Sequence, residues 1–139
     1  MATMMLTSTL RGATGMIPHA LPGLHGGRLA YITTAAAVEP WGFAHTMLTR
    51  RQLRQLGFRV TELDVSTAAA PDVRSTLSDA DCIYVGGGNS FFLLQELRDR
   101  PGGGGVGEGV VHRHHVFGRH LDVVDQHCAA GGGALAEAG

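Results

Sequence analysis

With 139 residues, 44% of them hydrophobic, and a formal net charge of −1, the chain is sized for one domain around one core. The balanced charge excludes the basic field of a nucleic-acid binder and any acidic tail, and no apolar stretch approaches the ~20 residues of a membrane helix. Residues 1–10 lack a basic region followed by a long apolar run, so no signal peptide is expected. Two cysteines, Cys82 and Cys128, make no disulfide framework, and a reduced, cytoplasmic protein is expected. All eleven basic residues are Arg, which points to a GC-rich coding sequence, since lysine codons are A-rich.

Residues 4–8 (Met-Met-Leu-Thr-Ser) read as a short strand. Residues 11–27, rich in Gly, Pro and His, read as a connection. Residues 29–34 (Leu-Ala-Tyr-Ile-Thr-Thr) form a compact, partly β-branched run, the pattern of a buried strand. Pro40 and Trp41 open a helix to about Leu56, with Phe43, Ala44, Met47, Leu48, Leu53 and Leu56 as its apolar set and Arg50, Arg51 and Arg54 outside it. Gly57 is the stop. Residues 58–65 alternate with period two, a strand. Residues 71–81 predict a short helix with Val73 and Leu77 on one side. Cys82-Ile83-Tyr84-Val85 predicts a buried strand, followed by the turn Gly86-Gly87-Gly88-Asn89 and a helix from Ser90 to about Arg100, with Asn89 as its N-cap. Strands alternating with helices predict an α/β fold, a parallel sheet with helices on both faces. Chemistry in such sheets sits at the carboxyl ends of the strands, where the glycine turn falls.

That turn is the most informative stretch. Glycines let the chain bend sharply and let a ligand approach main-chain N–H groups, which with the helix dipole favour an anion or a developing oxyanion. A tight connection without a ligand has the same pattern, so both readings stay open here. Gly86-x-Gly88-x-x-Phe91 lacks the third glycine of a dinucleotide site, and no Gly-Lys-Ser/Thr follows to make a phosphate loop. Trp41 and Phe43, near a strand exit, fit either a substrate cleft or packing at the helix start. Cys82, within a strand, reads as a small core residue.

Val85-Gly86-Gly87-Gly88-Asn89-Ser90-Phe91 resembles the glycine-rich segment of the dipeptidase E (aspartyl dipeptidase) family of serine peptidases. Residues 6–8, 30–36, 56–64 and 79–84 agree with it in order, and the resemblance covers roughly residues 4–100. It implies a class I glutamine-amidotransferase-like fold, hydrolysis of short, Asp-containing peptides by a Ser-His-acid mechanism, and no metal or cofactor. It also implies an oxyanion hole partly built from the backbone of Gly87 and Gly88, with Gly86 and Asn89 as substrate-loop candidates. The family's nucleophile lies in a Gly-x-Ser-x-Gly elbow about thirty residues past the glycines. In this chain the last serine is Ser90 and no such elbow occurs, so no catalytic Ser, His or acid is carried over. Short peptides are the implied partner, nucleic acid and membrane are not, and oligomeric state is not legible.

Residues 101–139 have another character. They hold eleven of the 21 glycines and five of the eight histidines, and no Ser, Thr, Met, Trp or Tyr. They are expected to add no strand to the α/β rhythm of residues 1–100, and to be an out-of-frame or disordered tail that leaves a strand edge and apolar surface uncovered. Three alternatives accompany this. Cys128 could serve as a thiol nucleophile, although Ala130 stands where an elbow needs its second glycine. His112, His114, His115, His120 and His127 could bind a metal, although they lie on no clear element. The glycine turn could survive as a non-catalytic anion-binding site. The expectation is a chain with little or no peptidase activity of its own.

Overall fold

A computed structural model describes residues 4–6, 10–99 and 115–118, the first and last of these by their backbone pairing. Five strands form one parallel sheet: β1 (Met4–Leu6), β2 (Arg28–Ile32), β3 (Arg59–Leu63), β4 (Cys82–Val85) and β5 (His115–Gly118), in the order β1-β5-β4-β2-β3. Parallel pairing requires crossovers, and α3 (Gly42–Gln55), α4 (Ala70–Asp79) and α5 (Ser90–Asp99) supply them. The expected α/β class holds.

The strand period of two sorts the sheet into two cores. Ala30 and Ile32 of β2 join Ile83 and Val85 of β4, with Leu63, Val73, Leu77 and Leu93, on the face covered by α4 and α5. Leu29 and Tyr31 join Cys82 and Tyr84, with Leu53 and Phe58, on the face covered by α3. Tyr31 and Tyr84 stack there at 5.3 Å between centroids and 54° between planes, a tilted contact favoured by their ring quadrupoles. Every residue of β4 is buried, as a central parallel strand requires.

Three expectations are corrected. The connection at residues 11–27 contains two short helices, α1 (Leu10–Ala13) and α2 (Ile17–Ala20), which put Leu10, Ala13, Ile17 and Leu21 into the core. Four-residue helices carry too little pattern to be read, and burial of those side chains makes them worthwhile.

Of the apolar set assigned to α3, only Leu53 and, in part, Leu56 are covered, and Phe43, Ala44, Met47 and Leu48 are exposed. Gly42, Thr49 and Leu53 are buried, whereas Phe43 is 80% and Leu48 63% exposed. Gly42 explains the rotation. A Cβ there would overlap the Ala36 carbonyl, so only a glycine face lets the helix close on the β2 exit. Arg50, half-buried, pairs with Glu62 at 2.7 Å.

Finally, a strand does occur beyond Arg100. β5 lies between β1 and β4, with Val116 opposite both Met4 and Ile83. Its residues are too few to announce a strand by alternation, and pairing on both sides decides the matter instead. The remainder of residues 101–139 lies outside the described residues.

Candidate functional site

The loops leaving β2 and β4 run to opposite faces, β2 toward α3 and β4 toward α5, although the two strands are neighbours in the sheet. Divergence at adjacent carboxyl ends opens a crevice, the usual ligand position in an open parallel sheet. Here it is a cavity of about 380 Å³ lined by Ala36, Glu39, Pro40, Trp41, Gly42 and His45 from the β2 side and by Gly87 and Gly88 from the β4 side.

The β2 exit is a 3₁₀ turn (Thr34–Ala36) fixed from three directions. Thr34, fully buried, accepts a 2.8 Å bond from the Val65 N–H through its hydroxyl. Gly42 seats against the Ala36 carbonyl. Gly88, at φ +146°, seats against the Ala35 carbonyl, which accepts a 2.7 Å bond from the Asn89 N–H. A Cβ on Gly88 would overlap that carbonyl and approach the Ala36 nitrogen at 2.8 Å, so both its conformation and its surroundings demand glycine.

The glycine turn distributes its donors unevenly. Gly86 N–H continues the sheet to the Ile32 carbonyl at 2.9 Å. Asn89 caps α5, its Oδ1 accepting from the Phe92 N–H at 3.0 Å. Among the described residues the N–H groups of Gly87 and Gly88 have no acceptor. Two consecutive donors beside a helix N-terminus, at the crevice, suit a carboxylate or the oxyanion of a tetrahedral intermediate.

Beneath the turn lie two more polar atoms without hydrogen-bonding geometry to any described residue, Tyr31 Oη and His45 Nδ1. Burial pushes the Tyr31 phenol above its ordinary range, while the polar neighbours Thr49 and Thr46 pull the other way. Cys82 is 1% exposed, and burial with the nearby Asp81 charge pushes its thiol up to about 12. It is an inert core residue, as its place in the strand suggested.

Of the site residues read from sequence, Gly87 and Gly88 line the crevice, whereas Gly86 is taken up by the sheet and Asn89 by the α5 cap, and neither of those two is among the lining residues. Trp41 lines the crevice while remaining 82% exposed, whereas Phe43, 80% exposed, neither lines it nor packs at the helix start. Glu39 and His45 were missed. The signal that could have found them was their position just after β2, the strand beside β4. Cys128, His112, His114, His120 and His127 lie outside the described residues, and His115 is described only as a backbone position in β5. No cluster of metal-ligating side chains occurs among the described residues, nor any helix long and apolar enough to cross a membrane.

A parallel α/β sheet with N–H donors at its crevice that have no acceptor among the described residues defines a class of protein that includes many hydrolases, and comparison narrows it. Residues 4–106 match the model of peptidase family S51, and the chain belongs to that family. It is 38% identical over 98 residues to an uncharacterized peptidase of Listeria innocua, covering 70% of this chain and 46% of the relative. It is 33% identical over 104 residues to peptidase E of Citrobacter koseri, covering 72% and 44% respectively. The crystal structure of a protein of the peptidase E type from Listeria monocytogenes superposes with a TM-score of 0.76 at 31% identity, covering 85% of this chain and 57% of that one. A peptidase from an acI-B1 actinobacterium shares the fold at a TM-score of 0.62 and 21% identity. The chain thus spans just under half the length of these curated relatives.

Proposed function

We propose that the crevice is a short-peptide site of the serine dipeptidase type, in which the Gly87 and Gly88 N–H groups receive the scissile carbonyl oxygen. The observation that carries this reading is the pair of donors, without an acceptor among the described residues, at the point where the β2 and β4 loops diverge. Their placement is fixed by Gly88 against Ala35 and by the Asn89 cap, so they need no reorganisation as charge develops on the oxygen.

In such a mechanism a serine hydroxyl adds to the carbonyl carbon while a histidine takes its proton, and the peptide nitrogen leaves after receiving that proton. Family membership and the peptidase E relatives support this chemistry for the complete site. In this chain β5 ends beside the glycine turn, with Gly118 opposite Val85. The sequence there continues Gly118-Arg119-His120-Leu121-Asp122, not Gly-x-Ser-x-Gly. This chain therefore supplies the oxyanion half of the site without the nucleophile, and it binds short Asp-containing peptides in a cytoplasmic setting without hydrolysing them at enzymatic rates. Incubating the purified protein with Asp-containing dipeptides tests this. No release of free aspartate is expected. Turnover that disappears in Cys128→Ser would overturn the reading in favour of a thiol enzyme, and turnover insensitive to that change would place an unrecognised nucleophile elsewhere.

A further inference from the structure

The oxyanion donors occupy only one side of the crevice. The other side carries one carboxylate, Glu39, one large aromatic ring, Trp41, and one imidazole, His45. The indole is 82% exposed, so its conformation contributes little to the core, and His45 Nδ1 is buried without a partner among the described residues. Among the described residues no Arg, the one strongly cationic residue type in the sequence, lines this cavity. A carboxylate, an electron-rich ring face and an imidazole nitrogen able to accept a hydrogen bond form a set suited to a cation.

The chemistry of a dipeptide says which cation. Its free α-ammonium is attached to the carbon next to the scissile carbonyl, so the two groups must be held side by side. An acceptor for the ammonium must therefore border the oxyanion donors themselves. Glu39, Trp41 and His45 line the same cavity of about 380 Å³ as Gly87 and Gly88, a volume suited to an amino-acid residue more than to a long chain.

We propose that Glu39, with Trp41 and His45, forms the subsite for the free α-ammonium of the bound peptide, making the site selective for unblocked N-termini. This inference rests on the peptide-binding reading above and adds to it the groups that select the substrate's end. An acidic side chain would meet the Glu39 charge here, so it belongs in another direction from the glycine turn.

Calorimetric titration of the full chain with an Asp-containing dipeptide and with its N-acetyl form tests the proposal, together with the Glu39→Gln and Trp41→Leu variants. The free dipeptide is expected to bind on the order of tenfold more tightly than the acetylated one. Glu39→Gln is expected to bring the two affinities together while leaving the acetylated form unchanged, and Trp41→Leu to narrow the gap in part. Both residues are exposed, so neither change threatens the fold. Equal binding of the two peptides to the unaltered protein would overturn the ammonium subsite while leaving the peptide site standing. Binding of neither would overturn the peptide site, and the subsite with it.

Discussion

Replacing Gly88 by alanine probes the joint between the two halves of the crevice. Gly88 lies at φ +146°, where an L-residue is strained, and its Cβ would overlap the Ala35 carbonyl and come within 2.8 Å of the Ala36 nitrogen. Both obstacles are backbone, so no side chain can swing aside. The strained conformation costs about 1–3 kcal/mol and the forced displacement about 1–3 kcal/mol more, a total of about 2–6 kcal/mol. The Asn89 N–H bond to Ala35, at 2.7 Å, is the contact most exposed to the shift. Gly23 provides the control. At φ +87° it shares the unusual conformation, but nothing lies within 4 Å of its Cβ, so Gly23→Ala should cost only about 1–2 kcal/mol. Urea unfolding of both variants, followed by far-ultraviolet circular dichroism, gives the difference between them. If Gly88→Ala costs no more than Gly23→Ala, the seating of the glycine turn on the β2 exit is wrong.

Thr34→Val keeps the shape of a fully buried side chain but removes the acceptor for the Val65 N–H, and should cost about 1–3 kcal/mol in the same unfolding assay. Asn89→Ala removes the cap on α5 and should cost about 1 kcal/mol, read as faster amide exchange at Phe92. Asp81 pairs with Arg28 where β2 and β4 begin. Its backbone bond from the Arg28 N–H, at 2.8 Å, and the guanidinium hold its carboxyl below the usual range. A lowered folded-state value means stability that is present above the ordinary carboxylate pKa, about 4, and is lost as pH falls below it. Asp81→Asn should therefore flatten the stability–pH curve on the acid side and leave its neutral slope unchanged. In a Cys128→Ser background, Cys82 should resist aromatic disulfide reagents at pH 8 until urea unfolds the chain, because burial keeps its thiol protonated.

The sheet and the glycine turn were legible because they rest on short-range rules. Strand alternation, the buried run at residues 82–85 and the Asn89 cap each leave a mark a few residues wide. Peptidase family membership was legible for the same reason, since the matching segments are the strands and their exits. The orientation of α3 was not. Phe43, Ala44, Met47 and Leu48 face outward while Leu53 is buried, and the buried face is set by a glycine fitting against a carbonyl six residues earlier, a contact that no helical period encodes. β5 was illegible because its two neighbours define it. Glu39 and His45 escaped because they become a site only when β2 and β4 lie side by side, and that adjacency of non-consecutive strands is a property of the sheet order.

The central claim is that Gly87 and Gly88 present free N–H groups to a peptide carbonyl. Amide chemical-shift perturbation in ¹⁵N-labelled protein, titrated with an Asp-containing dipeptide, tests it most directly. Saturable shifts at Gly87 and Gly88, with smaller ones at Trp41 and His45, are the expected result. Shifts confined to the cavity of about 600 Å³ near Arg28, Arg54 and Arg59, where the strands begin, would contradict the account.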